Sequence, residues 1–113
     1  MSRQTAAPAN EVQLIGRVSG APAERQLPSG DPLVQFRLVV PRPARRGQAR
    51  TQVDTIDVAC WSARSRTAAL RLTDGAGARV EGALRRRFFR AGGGPASRYE
   101  VEARSVRAVD LAG

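Results

Sequence analysis

Residues 51–75 read TQVDTIDVACWSARSRTAALRLTDG. Up to Trp61 the pattern has a period of two: Ile56, Val58 and Cys60 share one face, while Thr55, Asp57 and Trp61 share the other. That alternation marks a half-buried strand, here over Thr51 to Trp61. At Ser62 the period changes. A serine hydroxyl can accept from an orphaned amide of a first helical turn. Ala63, Thr67 and Leu70 then follow at the spacing of one helix face. Asp74-Gly75 closes the segment, with glycine suited to the position after a helix end. A strand that runs directly into a short helix is the pivot of the fold.

Upstream of the pivot there are two more extended stretches. Met1 to Pro8 is polar and rich in Ala and Pro, and is expected to be a flexible arm over residues 1–9. Val12, Leu14, Gly16 and Val18 then alternate with polar neighbours, and Ile15 breaks the pattern. Gly20 to Pro22 reads as a turn and Glu24 to Leu27 as a short strand. Pro28-Ser29-Gly30-Asp31-Pro32 is dense turn chemistry, so the segments around it read as a hairpin. In the strand Leu33 to Val40, Val34, Phe36, Leu38 and Val40 face inward and Gln35 and Arg37 outward. Downstream, Ala78 to Phe89 places Val80, Gly82 and Leu84 inward and Glu81, Arg85, Arg87 and Phe89 outward. Ala91 to Pro95 is a glycine-rich turn. Arg98 to Val109 places Tyr99, Val101 and Ala103 inward and Arg98, Glu100, Glu102 and Arg104 outward. Val106 is out of phase, which predicts a bulge. Three strands, a helix and two strands is the order of the all-β, five-stranded Greek-key OB-fold barrel, with its one short helix between strands three and four. Another small barrel would share much of this pattern. The domain is expected over residues 10–109, with a short C-terminal end at 110–113.

A length of 113 residues suits one domain. No apolar run approaches the ~20 residues that cross a bilayer. The chain has no histidine and one cysteine, so it lacks the commonest general base and the means to build a thiolate metal site. No catalysis, metal or cofactor is expected. The lone cysteine fits a reducing cytoplasm. The net charge is +9, and all nineteen basic residues are arginine. Such a balance attracts polyanions, nucleic acid first. No basic amphipathic helix speaks for a membrane surface.

The aromatic residues sharpen the reading. Phe36 and Tyr99 are in phase with the core. Trp61 and Phe89 fall on polar strand faces, where an exposed ring offers a stacking platform to any base. Arg85 and Arg87 flank Phe89 and suit phosphates, with Glu81 as the only carboxylate expected near them. Arg37, on the outer face of its strand, adds to the basic surface. So does the Pro41 to Arg50 loop, which carries Arg42, Arg45, Arg46 and Arg50 and no acid. Phe88 points the other way, as core or as a rim contact. Ile15 and Val39 are apolar but off the core phase, which predicts that they pack against a second subunit.

The chain resembles the OB domain of bacterial single-stranded DNA-binding proteins, in an actinobacterial-like version. The matching segments are Asn10 to Val18, Leu27 to Gly30, Phe36 to Leu38, Asp57 to Trp61, Val80 to Arg85 and Arg98 to Val101. The resemblance implies a homo-oligomer, often a tetramer, with a dimer possible. It also implies sequence-independent binding of single-stranded DNA in replication, repair and recombination, and a nucleoid-associated location in a bacterium. Trp61 and Phe89 fall where the family places stacking aromatics, and Arg85 and Arg87 where it contacts phosphates. Ala44 and Thr55 stand where the family often has tryptophan. The family's acidic, Phe-terminated tail has no counterpart at Asp110 to Gly113, so tail-mediated recruitment of replication enzymes is not expected. Three alternatives remain: a dimer of the primosomal replication protein N type, an OB-fold structural subunit with protein partners, and an arginine-rich RNA-binding module.

Overall fold

In the computed structural model, which describes residues 3–47 and 50–112, the first strand does two jobs. β1 (Val12–Gln26) pairs antiparallel through residues 12–17 with β4 (Gly77–Ala91) and through residues 17–26 with β2 (Pro32–Pro41). β2 continues the sheet to β3 (Val53–Cys60). β5 (Gly94–Ala108) lies antiparallel to β4 and meets β3 in parallel at Val58 and Ala59. The circuit β1-β2-β3-β5-β4 closes on itself as a five-stranded barrel, and α1 (Ala63–Leu70) sits between β3 and β4 in the chain. This is the OB-fold order that the sequence predicts. Met1, Ser2, Gln48, Ala49 and Gly113 lie outside the described residues, and with them parts of the expected arm, arginine loop and C-terminal end. Among the described residues no helix is long and apolar enough to cross a membrane.

The core is the set of in-phase apolar residues. Val18, Val34, Phe36, Leu38, Val58, Cys60, Val80, Val101 and Ala103 form one buried cluster, and each large side chain in it stabilises the fold by roughly 1.5–3 kcal/mol. Burial pushes the Cys60 thiol up to about 11, so the group is un-ionised and inert at neutral pH. Two glycines let strands approach closely. A Cβ on Gly16 would stand 2.4 Å from the Val39 carbonyl oxygen, and one on Gly82 would stand 1.9 Å from that of Glu102.

Several expectations are corrected. Gly20 to Pro22 is not a turn between two strands but a bulge inside β1, opposite Phe36 in the register. Gly20 takes φ 79 there and its amide donates to the Asp74 carboxylate at 2.8 Å, so the bulge is pinned to the loop after α1. The Ser62 N-cap is present, but the helix stops at Leu70 and buries a different face. Ser65 and Ala69 face the barrel, with Leu72 beyond the last turn, whereas Ala63, Thr67 and Leu70 are exposed. Eight residues with alanines on several sides do not define a face by spacing alone. The bulge that the phase of Val106 predicts is present: Glu81 pairs Ser105 and Gly82 pairs Ala103, which leaves Arg104 as the extra residue. Val39 is already buried within the chain, while Ile15 is 47% exposed. Leu111 and Ala112 fold back into the cleft that Ile15, Val39 and Val53 line.

Tyr99 and Leu84 are the largest departures. Both lie on the inward side of their strands, yet Tyr99 is 60% and Leu84 46% exposed. The reason is length. β4 and β5 remain paired out to Ala91 and Gly94, joined by a turn at Gly92-Gly93. This hairpin outruns the barrel, and beyond Val101 its inward side no longer covers anything. The hairpin and the exposed N-terminal stretch before β1 both extend the molecule, whose radius of gyration is 16.5 Å, against about 13 Å for a compact chain of this size.

Candidate nucleic-acid interface

The projecting hairpin has two faces of opposite character. On one, Ala83, Arg85, Arg87 and Phe89 of β4 lie beside Glu102, Glu100, Arg98 and Ala96 of β5. This face looks across a groove at Trp61 and at the end of the β1–β2 hairpin. Trp61 is held there by its own backbone. The residue directly follows β3, its carbonyl accepts from the Arg66 guanidinium, and Ser62 beside it caps α1. The helix start therefore fixes the ring that precedes it.

Arginines and rings interleave along the groove. The Arg87 guanidinium lies 5.0 Å from the Trp61 ring centroid and that of Arg98 lies 5.1 Å from Phe89. Both are cation–π distances. Phe89 shares a cleft with Arg87 and Arg98 and with Arg25, Leu33 and Gln35 of the opposing hairpin. Trp61 shares the adjoining cleft with Arg64, Arg85 and Arg104. Both rings are half-buried, each with one arginine against it and open groove beside it.

The expectation that only Glu81 lies near the arginine run is overturned. Glu81 pairs with Arg79 at 3.3 Å. Arg85 is bonded to Glu102 at 2.7 Å, and Arg87 lies 3.7 Å from Glu100, a carboxylate only 3% exposed on its side chain. Alternation places Glu100 on the solvent side, but it sits under the groove with Oε1 buried and unpartnered. Cross-strand neighbours are invisible until the register is known. Arg87 and Arg98 also stand directly opposite each other. Like charges in that position repel, and the rings and Glu100 absorb part of the repulsion.

The sequence candidates thus divide. Trp61, Phe89, Arg85 and Arg87 come together in one groove. Arg25, Arg64, Arg98 and Arg104 join them, which the alternation of the strands does not reveal. Arg98 shared the predicted outer face of its strand, and only the register places it against Phe89. Arg37 lies on the outer face of the β2–β3 ladder, 3.6 Å from Asp57. Arg42 and Arg45 line a separate cleft with Gln52 at the far end of β2–β3, about 30 Å along the strand from Trp61 at the rise of a strand. Arg46 follows in the same loop and is exposed. The loop is less free than its sequence suggests, because Arg42 is bonded to Asp54 at 2.8 Å. That bond raises the Arg42 pKa and lowers that of Asp54, so the pair holds above the usual carboxylate range and is lost as pH falls through the lowered value.

A closed five-stranded barrel with a helix between its third and fourth strands is the OB class of fold, and here it carries a groove of interleaved rings and arginines. Residues 9–109 match the single-strand binding protein family, and the chain belongs to it. It is 32% identical over 80 residues to single-stranded DNA-binding protein 3 of Listeria innocua, covering 71% of this chain and 50% of that one. It is 30% identical over 103 residues to the single-stranded DNA-binding protein of Aquifex aeolicus, covering 89% of this chain and 70% of that one. The chain therefore spans about half the length of the Listeria relative. In shape it is similar to a Plasmodium falciparum SSB solved in complex with ssDNA. The TM-score is 0.75 at 20% identity, over 95% of this chain and 100% of that one.

Proposed function

We propose that the chain binds single-stranded DNA without sequence preference, as a binding module rather than an enzyme, and serves replication, repair and recombination in that capacity. The observation that carries the reading is the groove in which Trp61 and Phe89 each stand against an arginine. Such a site takes bases on its rings and phosphates on its guanidinium groups, and neither interaction reads sequence. Arg98 opposite Arg87 is a repulsion that a phosphate between them would relieve. The names of the relatives point the same way. Trp61, Phe89, Arg85 and Arg87 are the primary contacts in this reading. Arg37, Arg42, Arg45 and Arg46 extend the positive surface for a strand that leaves the groove.

Trp61 is the only tryptophan, so its fluorescence reports the groove alone. Oligo(dT) is expected to quench it, and the affinity is expected to fall with salt at a log–log slope of about −0.7 per phosphate contacted. Duplex DNA is expected to bind much more weakly because its bases cannot reach the rings. Equal affinity for duplex and single strand at ~0.2 M salt would overturn the reading. An oligo(U) titration in the same format measures the preference for DNA over RNA.

The chain is also proposed to form a homo-oligomer, at least a dimer and in full a tetramer. The supporting surface is the apolar cleft where Ile15, Val53 and Leu111 are 47%, 47% and 43% exposed. Light scattering at ~10 μM, well above the dissociation constants of tight oligomers, is expected to show a multiple of the chain mass. A monomer there refutes the assembly.

A further inference from the structure

The other face of the hairpin carries Leu84, Arg86, Phe88 and Arg90 of β4 against Val101, Tyr99, Ser97 and Pro95 of β5. It differs from the groove face in three ways. Its rings are far more open, with Phe88 72% and Tyr99 60% exposed. Its central arginine is shared between them, with the Arg86 guanidinium 5.1 Å from the Phe88 centroid and 5.6 Å from that of Tyr99. Finally, this face has no Asp or Glu among its residues. Arg86 is oriented by a neutral partner, Ser97 Oγ, at 3.3 Å from Nε and 3.2 Å from Nη2. On the groove face, Arg85 and Arg87 are each matched by a glutamate.

We propose that this face is a second stacking platform for the same single strand, which passes over the hairpin and lays further bases on Phe88 and Tyr99 with Arg86 between them. Charge complementarity selects the occupant, because two arginines and no carboxylate suit a polyanion and disfavour a second copy of a chain of net charge +9. Two open rings with one guanidinium shared between them suit neighbouring bases and their phosphate. A paired ribbon is about one strand pair wide and open on both edges, so a flexible strand can reach both faces. The inference rests on the proposed single-strand binding and adds a site that the groove does not contain.

Two fluorophores separate the two claims, because Tyr99 is the only tyrosine and Trp61 the only tryptophan. In a Trp61→Phe variant, tyrosine emission reports the outer face. Oligo(dT) of about 35 nucleotides, longer than the roughly 4–16 that one OB-fold covers, is expected to quench it. Tyrosine emission unmoved in that variant, while Trp61 of the unaltered protein is quenched, overturns the second platform and leaves the groove standing. If neither ring responds, single-strand binding itself fails and takes this proposal with it. A change in tyrosine emission with protein concentration and no DNA present shows a second copy on the face and overturns the proposal. The Phe88→Ala/Tyr99→Ala pair removes only exposed rings, so the fold is expected to persist by circular dichroism. Its affinity for the long oligomer is expected to fall about tenfold or more, with a smaller loss for one of about six nucleotides. An equal loss at both lengths overturns the proposal.

Discussion

Gly82→Ala is expected to unfold the barrel or leave it severely destabilised, by about 3 kcal/mol or more. The added methyl would lie 1.9 Å from the Glu102 carbonyl oxygen, 2.9 Å from its carbon and 3.1 Å from Ala103 Cα. All three atoms are backbone, so no side chain can swing aside. The site is also the β4–β5 bulge, where the register slips between Glu81 and Gly82. Moving β5 away from β4 here would pull Val101 and Ala103 out of the core. Urea unfolding followed by Trp61 fluorescence checks the outcome. A midpoint within error of the parent protein would show that the bulge can open without cost. Gly93→Ala is a fitting control, since a Cβ there meets nothing within 4 Å.

Trp61→Ala is expected to weaken oligo(dT) binding by roughly 1–3 kcal/mol, the value of one base–aromatic stack. The ring is half-buried and no part of the core cluster, so the cost to stability is expected to stay near or below 1 kcal/mol. A secondary effect follows from Arg87. Without the indole, its guanidinium keeps Glu100 at 3.7 Å as an ionic partner but loses the ring it rests against, so the groove loses its platform and a support of its cation. Fluorescence anisotropy of a labelled oligonucleotide measures the affinity, and thermal unfolding measures the stability. A variant that unfolds while the parent protein shows no quenching by DNA would place the ring in a structural role and remove it from the interface. Phe89→Ala is expected to act in the same direction with a smaller effect.

Much of the fold was legible because strand order and the period of two carry it. The change of period at Ser62 located the helix, and alternation assigned Val34, Phe36, Leu38, Val58 and Val80 to the core, where they lie. What alternation reports is side, not depth. Tyr99 is on the inward side of β5 and still open, because the barrel beneath it has ended. Turn chemistry has a similar ambiguity. Gly20 to Pro22 suits a bulge as well as a turn, and only the pairing of Ala23 with Gln35 decides. At the groove, Trp61 and Phe89 could be picked out because rings on polar faces are conspicuous. Glu100 and Arg98 could not be placed, since their neighbours are set by cross-strand register.

The closing seam of the barrel dictates when the chain can fold. Val12 pairs with Gly82 and Arg17 with Gly77, so the first strand finds one of its two partners only late in the sequence. Until β4 exists, β1, β2 and β3 form an open sheet with bare edges on both sides. β5 must then insert parallel to β3, again across a long stretch of chain. Pairings this distant place the protein among slow folders, on a scale of milliseconds to seconds. On a ribosome, a nascent chain that ends before Gly77 would have nothing with which to close. Closure of the barrel is therefore expected to come late, with the edges of an unfinished sheet as the point of greatest risk of misassembly.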